Sequence, residues 1–114
     1  MAQRYLLVPL GQELLVGLDL VSRAVLGAIF DRLKLSNYRV VGGDTSWYDD
    51  RLEAVYCVFA QSELAELIGV SERSIQRALK LLRDEGFIFS YKPNYQCACR
   101  FFLHERIYEY LKGQ

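Results

Sequence analysis

The sequence has no net charge, no long apolar run and no secretory signal. Its 114 residues hold 14 Lys and Arg against 14 Asp and Glu. None of its apolar runs approaches the roughly 18 to 20 residues of a membrane-spanning helix, and the N-terminus lacks a basic region followed by an apolar one and a cleavage site. These absences argue against a secreted or membrane-inserted protein, so we expect a soluble protein of the cytoplasm.

Cysteine, histidine and recognisable catalytic motifs are also scarce. The three cysteines are an odd number, which indicates reduced thiols rather than a disulfide framework. Nothing resembles a phosphate-binding loop, and the single histidine, His104, has no evident nucleophile partner. The aspartates of the acidic loop, Asp44, Asp49 and Asp50, lack the spacing of a metal-binding loop. We predict neither enzymatic activity nor a cofactor.

A zinc site is the most specific alternative that the cysteines offer. Its four ligands would be Cys57, Cys97, Cys99 and His104. If residues 97–103 form one strand, the last two cysteines lie on the face shared by Phe101, and His104 has the opposite parity. Cysteines in such positions usually act as small apolar side chains, so no metal site is predicted.

The chain does have ample apolar material for one domain. A hydrophobic fraction of 52%, with 13% aromatic residues, can fill a single core. We predict one winged-helix domain over residues 1–114, mainly α-helical with a small antiparallel β wing. Its parts are an N-terminal arm at 1–17, a first helix at 18–35, a loop at 36–54, a helix-turn-helix plus wing at 55–103 and a C-terminal helix at 104–114. The arm is expected to pack on the body or on a second copy.

The two central helices have specific turn chemistry. The helix "QSELAELI" ends at Gly69 and precedes a helix that Ser71 caps and that runs to about residue 85. Ala65, Gly69 and Ile75 have the spacing of a helix-turn-helix, in which a small residue, a left-handed turn and an apolar plug recur. After them, "FIFSY" and "CACRFFL" predict two strands around a turn in "KPNYQ", while "VYCVF" predicts a buried strand.

The second helix of this pair has a buried stripe and an outer face. The stripe consists of Ile75, Ala78, Leu79 and Leu82. The predicted DNA-binding residues are Ser71, Arg73, Ser74, Gln76, Arg77 and Lys80. Arginine can bind guanine O6 and N7, the glutamine amide can pair with adenine, and lysine can bind phosphate. The alternative is a charged face that is only solvated, as on any surface helix.

Local charge favours the DNA-binding interpretation. Residues 43–70 hold one Lys or Arg against six Asp or Glu, whereas residues 71–106 hold seven against four. The neutrality of the whole chain therefore hides a basic stretch that begins at Ser71. In the wing, Lys92, Asn94 and Tyr95 are predicted to meet phosphate or the minor groove, although Pro-Asn-Tyr is also simply a good turn.

Four stretches of the chain follow the order of motifs in a known family. They are "DRLKLS" at residues 31–36, "WYDD" at 47–50, "VYCVFAQSELAELIGVSERSIQRALKLLRDEGFI" at 55–88 and "KPN" at 92–94. In this order they resemble the N-terminal domain of the replication-initiator A family of plasmid and phage initiators. The likeness covers almost the whole chain, whereas the wing "SYKPNYQ" lacks the glycines and the extra basic residue that are common in the family.

The resemblance implies a function and partners. It implies sequence-specific binding of double-stranded DNA by a homodimer at repeated sites of a replication origin. It also implies contacts with host replication proteins through a region that this chain does not contain. A small winged-helix transcriptional regulator would use the same helix face. A winged helix used only for protein contacts would instead use the aromatic tail and the acidic loop, and the sequence leaves both alternatives open.

Overall fold

The computed structural model describes residues 15–113. The predicted N-terminal arm falls mostly on residues 1–14, which lie outside the described residues. Leu15, the first described residue, and Leu18 are buried, and the first long helix follows directly. Among the helices of residues 15–113, none has the length and apolar character needed to cross a membrane.

Helix α1 (Leu20–Val41) forms the centre of the core. Asp19 begins it, because its Oδ1 atom accepts a hydrogen bond of 2.7 Å from the backbone N–H of Ser22. Val25 and Ile29, four positions apart on the inner face, are both fully buried. The helix lies against the helix-turn-helix on one side and the sheet on the other, so it joins the two parts of the fold.

The end of α1 lies beyond the predicted end at residue 35, and that prediction was wrong. The apolar stripe does end there, and the following turns expose Tyr38 and Val41 to solvent. The helix continues through residues 36–41, most of which are exposed, until a helix-ending residue occurs. Here that residue is Gly42, followed by Gly43 in the left-handed region at φ 105°. The predicted loop at 36–54 is correspondingly shorter.

The segment after α1 forms a 3-10 turn, Thr45–Trp47, and three short strands. The strands are β1 (Tyr48–Asp49), β2 (Ala54–Val55) and β3 (Cys57–Val58). The first two pair as an antiparallel hairpin inside the predicted loop. The strand predicted at 55–59 is divided at Tyr56, whose N–H donates to the Trp47 carbonyl at 2.9 Å. The division lets β2 pair with β1 while β3 joins the wing.

Helices α2 (Gln61–Ile68) and α3 (Glu72–Asp84) pack against each other as the predicted helix-turn-helix. Gly69 ends α2 in the left-handed region at φ 83°, and its N–H donates to the Ala65 carbonyl at 2.8 Å. Ile75 is fully buried in the core that the two helices share with α1. The three roles that the sequence spacing predicted are therefore confirmed.

The wing is a hairpin of β4 (Ile88–Tyr91) and β5 (Arg100–Leu103). Together with β3 it forms an antiparallel sheet in the order β3-β5-β4. Tyr91 and Arg100 are the last paired residues before the connecting segment, residues 92–99, which we call the wing loop. Mainly helical content with this small antiparallel wing confirms the predicted winged helix-turn-helix.

The wing loop is longer than the predicted turn. The Asn94 Oδ1 atom accepts a hydrogen bond of 2.9 Å from the Gln96 N–H, and the Asn94 carbonyl accepts one of 3.2 Å from the Cys97 N–H. These bonds turn the chain locally, and strand pairing resumes only at residue 100. The prediction of one strand over 97–103 was therefore wrong, and Cys97 and Cys99 belong to the loop.

Helix α4 (Glu105–Lys112) closes the described fold. His104 begins it, because its Nδ1 atom accepts a hydrogen bond of 3.1 Å from the Arg106 N–H. Tyr108 packs edge-on against Phe30 of α1, with 5.4 Å between the ring centroids. The C-terminal helix is therefore attached to α1.

Candidate nucleic-acid interface

Helix α3 separates an apolar face from a charged one. Its buried residues are Ile75, Ala78, Leu79 and Leu82. The opposite face exposes Arg73, Gln76, Arg77 and Lys80, which we call the α3 stripe. The spacing of these four residues, mostly three or four positions, places them along one side of the helix. The predicted division of α3 into a buried and an outer face agrees with the structure.

The two arginines of the α3 stripe have no partner in the part of the chain that the structure describes. Within residues 15–113, neither Arg73 nor Arg77 makes a hydrogen bond or an ion pair. Each guanidinium carries five N–H donors in a planar fork, so the full donor capacity of both is available to a ligand. Their Cα atoms are separated by one helical turn, about 6 Å along the axis, which lets the two forks reach neighbouring acceptors.

Gln76 is held by a residue that sequence reasoning did not select. Its Nε2 atom donates to Oε1 of Gln61, the first residue of α2, at 3.2 Å. One amide proton and the carbonyl oxygen of Gln76 remain free, and these are the groups that pair with adenine N7 and N6. Gln61 is far from α3 in sequence, and only the crossing of the two helices brings it to this face.

The two predicted serines stand at the start of α3. The Ser71 Oγ atom accepts a hydrogen bond of 3.1 Å from the Ser74 N–H, and the two hydroxyl oxygens are 3.0 Å apart. Both hydroxyls therefore take part in capping the helix. Their first role is to fix where α3 begins and hence where the α3 stripe points.

Lys80 ends the stripe beside an acidic residue. Its Nζ atom lies 2.8 Å from Asp84 Oδ2, and both side chains are largely exposed. An exposed pair of this kind is worth about 0.3–0.5 kcal/mol, so it exchanges readily with solvent. Lys80 therefore stays available to phosphate, and Asp84 marks the end of the positive surface.

Arg83 extends the positive surface toward the wing and was not predicted. Its Nη1 atom donates to Oγ of Ser90 at 3.3 Å. A cleft of about 330 Å³ separates the start of α2, the end of α3 and the wing, and Arg83, Lys92 and Glu63 all line it. Two cations therefore face this cleft against one carboxylate. In the sequence, Arg83 lies three positions after Lys80, and this helical spacing could have identified it.

The three predicted wing residues all lie in the wing loop. Lys92 is exposed and Tyr95 is 86% exposed. The side-chain oxygen of Asn94 is used by the turn through its bond with Gln96, so only its amide group is free for other contacts. Lys92 and Tyr95 are thus the better placed of the three for contact with a ligand.

Asp49 has a role that sequence reasoning missed. It is only 1% exposed, although it lies in the acidic loop. Its Oδ2 atom accepts hydrogen bonds from the Tyr91 hydroxyl and from Arg100 Nη1, the latter at 2.7 Å, and its Oδ1 atom accepts one of 2.8 Å from the Leu52 N–H. The Tyr91 bond, followed by those from Leu52 and Arg100, lowers the pKa of Asp49 to about 2 against the opposite effect of burial. In the sequence, only the resemblance of "WYDD" to a family motif pointed to Asp49.

A second acidic side chain of residues 43–70, Glu63, also meets an arginine. Glu63 and Arg32 form an ion pair at 3.2 Å, and the Arg32 guanidinium lies 3.6 Å from the centre of the Phe59 ring. Because Asp49 is paired as well, two of the acids in this segment are partly neutralised within the fold. The segment repels an anionic ligand less than its composition suggests.

The residues considered for zinc have other roles. Cys57 is fully buried, and burial raises the pKa of its thiol to about 12. His104 caps α4 through Nδ1. In the part of the chain that the structure describes, no group of three His, Cys, Asp or Glu side chains is placed to hold a metal ion.

Three solved structures share this fold. One is described as the N-terminal domain of a DNA-binding protein; it has a TM-score of 0.64, is 19% identical, and the match covers 96% of this chain and 85% of that one. A Rep–DNA complex has a TM-score of 0.64 at 19% identity over 97% of this chain and 87% of that one. An MDR initiator has a TM-score of 0.62 at 18% identity over 97% of this chain and 89% of that one.

These likenesses extend over nearly the whole chain. No protein-family model matches the sequence, and no curated protein matches it. At 18–19% identity the structural likeness establishes the shared fold.

Proposed function

We propose that this chain binds double-stranded DNA sequence-specifically through α3 and takes part in replication initiation at repeated origin sites. The observation that carries the proposal is the α3 stripe. Two arginines without a partner in the described fold stand beside a glutamine on the exposed face of the second helix of a helix-turn-helix. That helix is the one that enters the major groove in proteins of this architecture.

Each side chain of the stripe has a matching acceptor on duplex DNA. Arg73 and Arg77 suit guanine O6 and N7, and the Gln76 amide suits adenine. Lys80, together with Lys92 and Arg83 at the cleft beside the wing, suits phosphate oxygens. Tyr95, exposed in the wing loop, is proposed to meet the backbone or the minor groove.

Replication initiation is supported by two independent likenesses. The motif order resembles the replication-initiator A family, and the fold is shared with a Rep–DNA complex and an MDR initiator. A transcriptional regulator would use the same stripe, so the arrangement of target sites distinguishes the two. Tandem repeats within an origin support an initiator, whereas a palindrome over a promoter supports a regulator.

We extend the proposal to the assembly and its location. The active form is proposed to be a homodimer in the cytoplasm, where its target DNA lies, and host replication proteins are proposed as further partners. Sedimentation of the DNA complex tests the dimer, because two chains on each duplex site are expected. One chain per site would contradict it.

Selection of bound sequences from random duplex DNA tests the function directly. Enrichment of a defined site, with affinity that falls steeply as salt rises, is the expected result. On that site Arg77→Ala should cost about 1–3 kcal/mol. Arg106→Ala removes the same charge from an exposed position on α4 and should change the affinity little. Binding that is absent, or indifferent to ionic strength, would instead favour a module for protein contacts.

A further inference from the structure

The acidic hairpin β1–β2 is attached to the wing at one buried carboxylate. Asp49 ends β1, and its two oxygens accept three hydrogen bonds, from Tyr91, Arg100 and the Leu52 N–H. The Leu52 bond closes the turn of the hairpin itself. The other two bonds leave the hairpin and reach the wing, so one side chain joins two separate sheets.

Tyr91 and Arg100 are the residues at which the wing loop leaves the sheet. Tyr91 is the last residue of β4, Arg100 is the first of β5, and the two are direct cross-strand partners. A bond to each therefore fixes both ends of the wing loop at once. No strand pairing within residues 92–99 provides a second constraint.

The surroundings of Arg100 and Tyr91 make this attachment rigid. The Arg100 guanidinium lies 4.2 Å from the centre of the Tyr56 ring, and the Tyr91 ring stacks on Phe102 with 6.0 Å between centroids and 17° between planes. The two side chains that bind Asp49 are thus each held against an aromatic ring, and both oxygens of Asp49 accept hydrogen bonds. A buried carboxylate needs such partners, so removing its charge disturbs the whole contact.

The attachment lies on the opposite side of the sheet from the helix-turn-helix. Side chains alternate along a strand, so Tyr91 and Arg100 share one face, while Ile88 and Phe101 point to the other and join the main core. The position of α3 depends on that core. The position of the wing loop depends in addition on Asp49.

We propose that Asp49 is a positioning residue for DNA binding, which holds the wing loop so that Lys92 faces the same duplex as the α3 stripe. This inference rests on the proposed DNA-binding function. The negative charge of Asp49 would by itself oppose DNA binding. The proposed positioning role instead favours binding.

Salt dependence separates positioning from general stability. Each phosphate contact adds about one unit to the slope of log affinity against log salt concentration. We expect Lys92→Ala to lower that slope by about one, and Asp49→Asn to lower it equally although it removes a negative charge. The double variant should show the slope of Lys92→Ala alone. Asp50→Asn, a change of the same kind at the exposed neighbour, should leave the slope unchanged and bind no more weakly than the wild type.

The outcomes distinguish the inference from the function on which it rests. A wild-type chain that does not bind duplex DNA removes the proposed function. A wild-type chain that binds, with a slope unaffected by Asp49→Asn or by Lys92→Ala, overturns the positioning role alone. Slope losses that add in the double variant also overturn it, because the two residues would then act separately.

A milder variant and a second measurement guard against misfolding. Tyr91→Phe removes one of the two bonds to the wing and keeps the ring in place, so a smaller loss of slope is expected. Hydrogen exchange should quicken in β4 and β5 of both variants while α3 keeps its protection. Equal acceleration in α3 and in the wing would show a general loss of stability and would overturn the proposal.

Discussion

Helix α3 and the base of the wing use charge in opposite ways. On α3, Arg73 and Arg77 are exposed and have no partner within residues 15–113. At the base of the wing, Asp49 is buried and accepts hydrogen bonds from three different residues. The proposed contact surface and the proposed support for it are therefore made of different parts of the chain. In this proposal the arginines of α3 bind DNA, and the hydrogen-bonded carboxylate of Asp49 positions the wing loop.

The two regions also differ in how much of the fold depends on them. Leu79 of α3 is fully buried, whereas Phe89 on the wing is 52% exposed. We expect Leu79→Ala to lower the free energy of unfolding by about 2–5 kcal/mol. Phe89→Ala should cost about 1 kcal/mol, since half of the ring is already in water. Equilibrium urea unfolding measures both.

Arg77→Ala is the matched control on the other face of α3. It removes a large side chain that touches little, so its free energy of unfolding should stay within about 0.5 kcal/mol of the wild type. A larger loss for Phe89→Ala than for Leu79→Ala would reverse the comparison. It would place the main core at the wing instead of at the helix-turn-helix.

The helix-turn-helix could be predicted from the sequence because its signals are local. Gly69 at φ 83° and the Ser71 cap lie between the two helices that they define, and Ile75 follows within one turn. The end of α1 could not be predicted in the same way, because a solvated helix gives no apolar signal. It continued to residue 41, where two glycines finally end it.

The support of the site was missed because its contacts are distant in sequence. Asp49 meets Tyr91 across 42 positions and Arg100 across 51. Gln61 meets Gln76 only where α2 crosses α3. The outer face of α3 was predictable from a periodicity within thirteen residues. The exposed face of one helix could thus be predicted, whereas the residues that contact it from other elements depend on the tertiary fold.

The stability that Asp49 contributes to the fold should be lost in acid. The pKa of Asp49 is lowered to about 2, first by the Tyr91 hydroxyl and then by the Leu52 N–H and Arg100. A lowered pKa stabilises the folded state fully above the ordinary aspartate value near 4, and this stabilisation is lost as the pH falls toward 2. The melting temperature of the wild type should therefore fall over this window by more than that of Asp49→Asn.

Asp50→Asn controls for charge in the acid experiment. Asp44 also has a lowered pKa, because Ser46 donates to it, so it too contributes stability that is lost in acid. Asp44 is present in all three proteins, so its contribution cancels in the comparison. If the melting temperature of Asp49→Asn instead falls as steeply as those of the wild type and Asp50→Asn, Asp49 does not contribute to the loss of stability in acid.

The bond between Gln61 and Gln76 offers a test at the contact surface itself. Gln61→Ala should leave the fold intact and weaken binding to the selected site by about 0.5–1.5 kcal/mol, the usual range for one hydrogen bond. The loss should be larger on a site with its adenine than on one where that base is changed. Ser62→Ala, a neutral change at an exposed position of α2, is the control. Equal losses on both sites would mean that Gln61 does not orient Gln76.

The smallest expected effect concerns the boundary of the α3 stripe. Asp84 pairs with Lys80 at 2.8 Å, and both side chains are exposed. Asp84→Asn should lower the free energy of unfolding by no more than about 0.5 kcal/mol. It should strengthen DNA binding modestly at low salt, because Lys80 is released and a negative charge is removed. Glu109→Gln, the same kind of change on α4, separates the two causes. If both variants bind DNA equally, only net charge matters, whereas a gain confined to Asp84→Asn places Lys80 at the phosphate backbone.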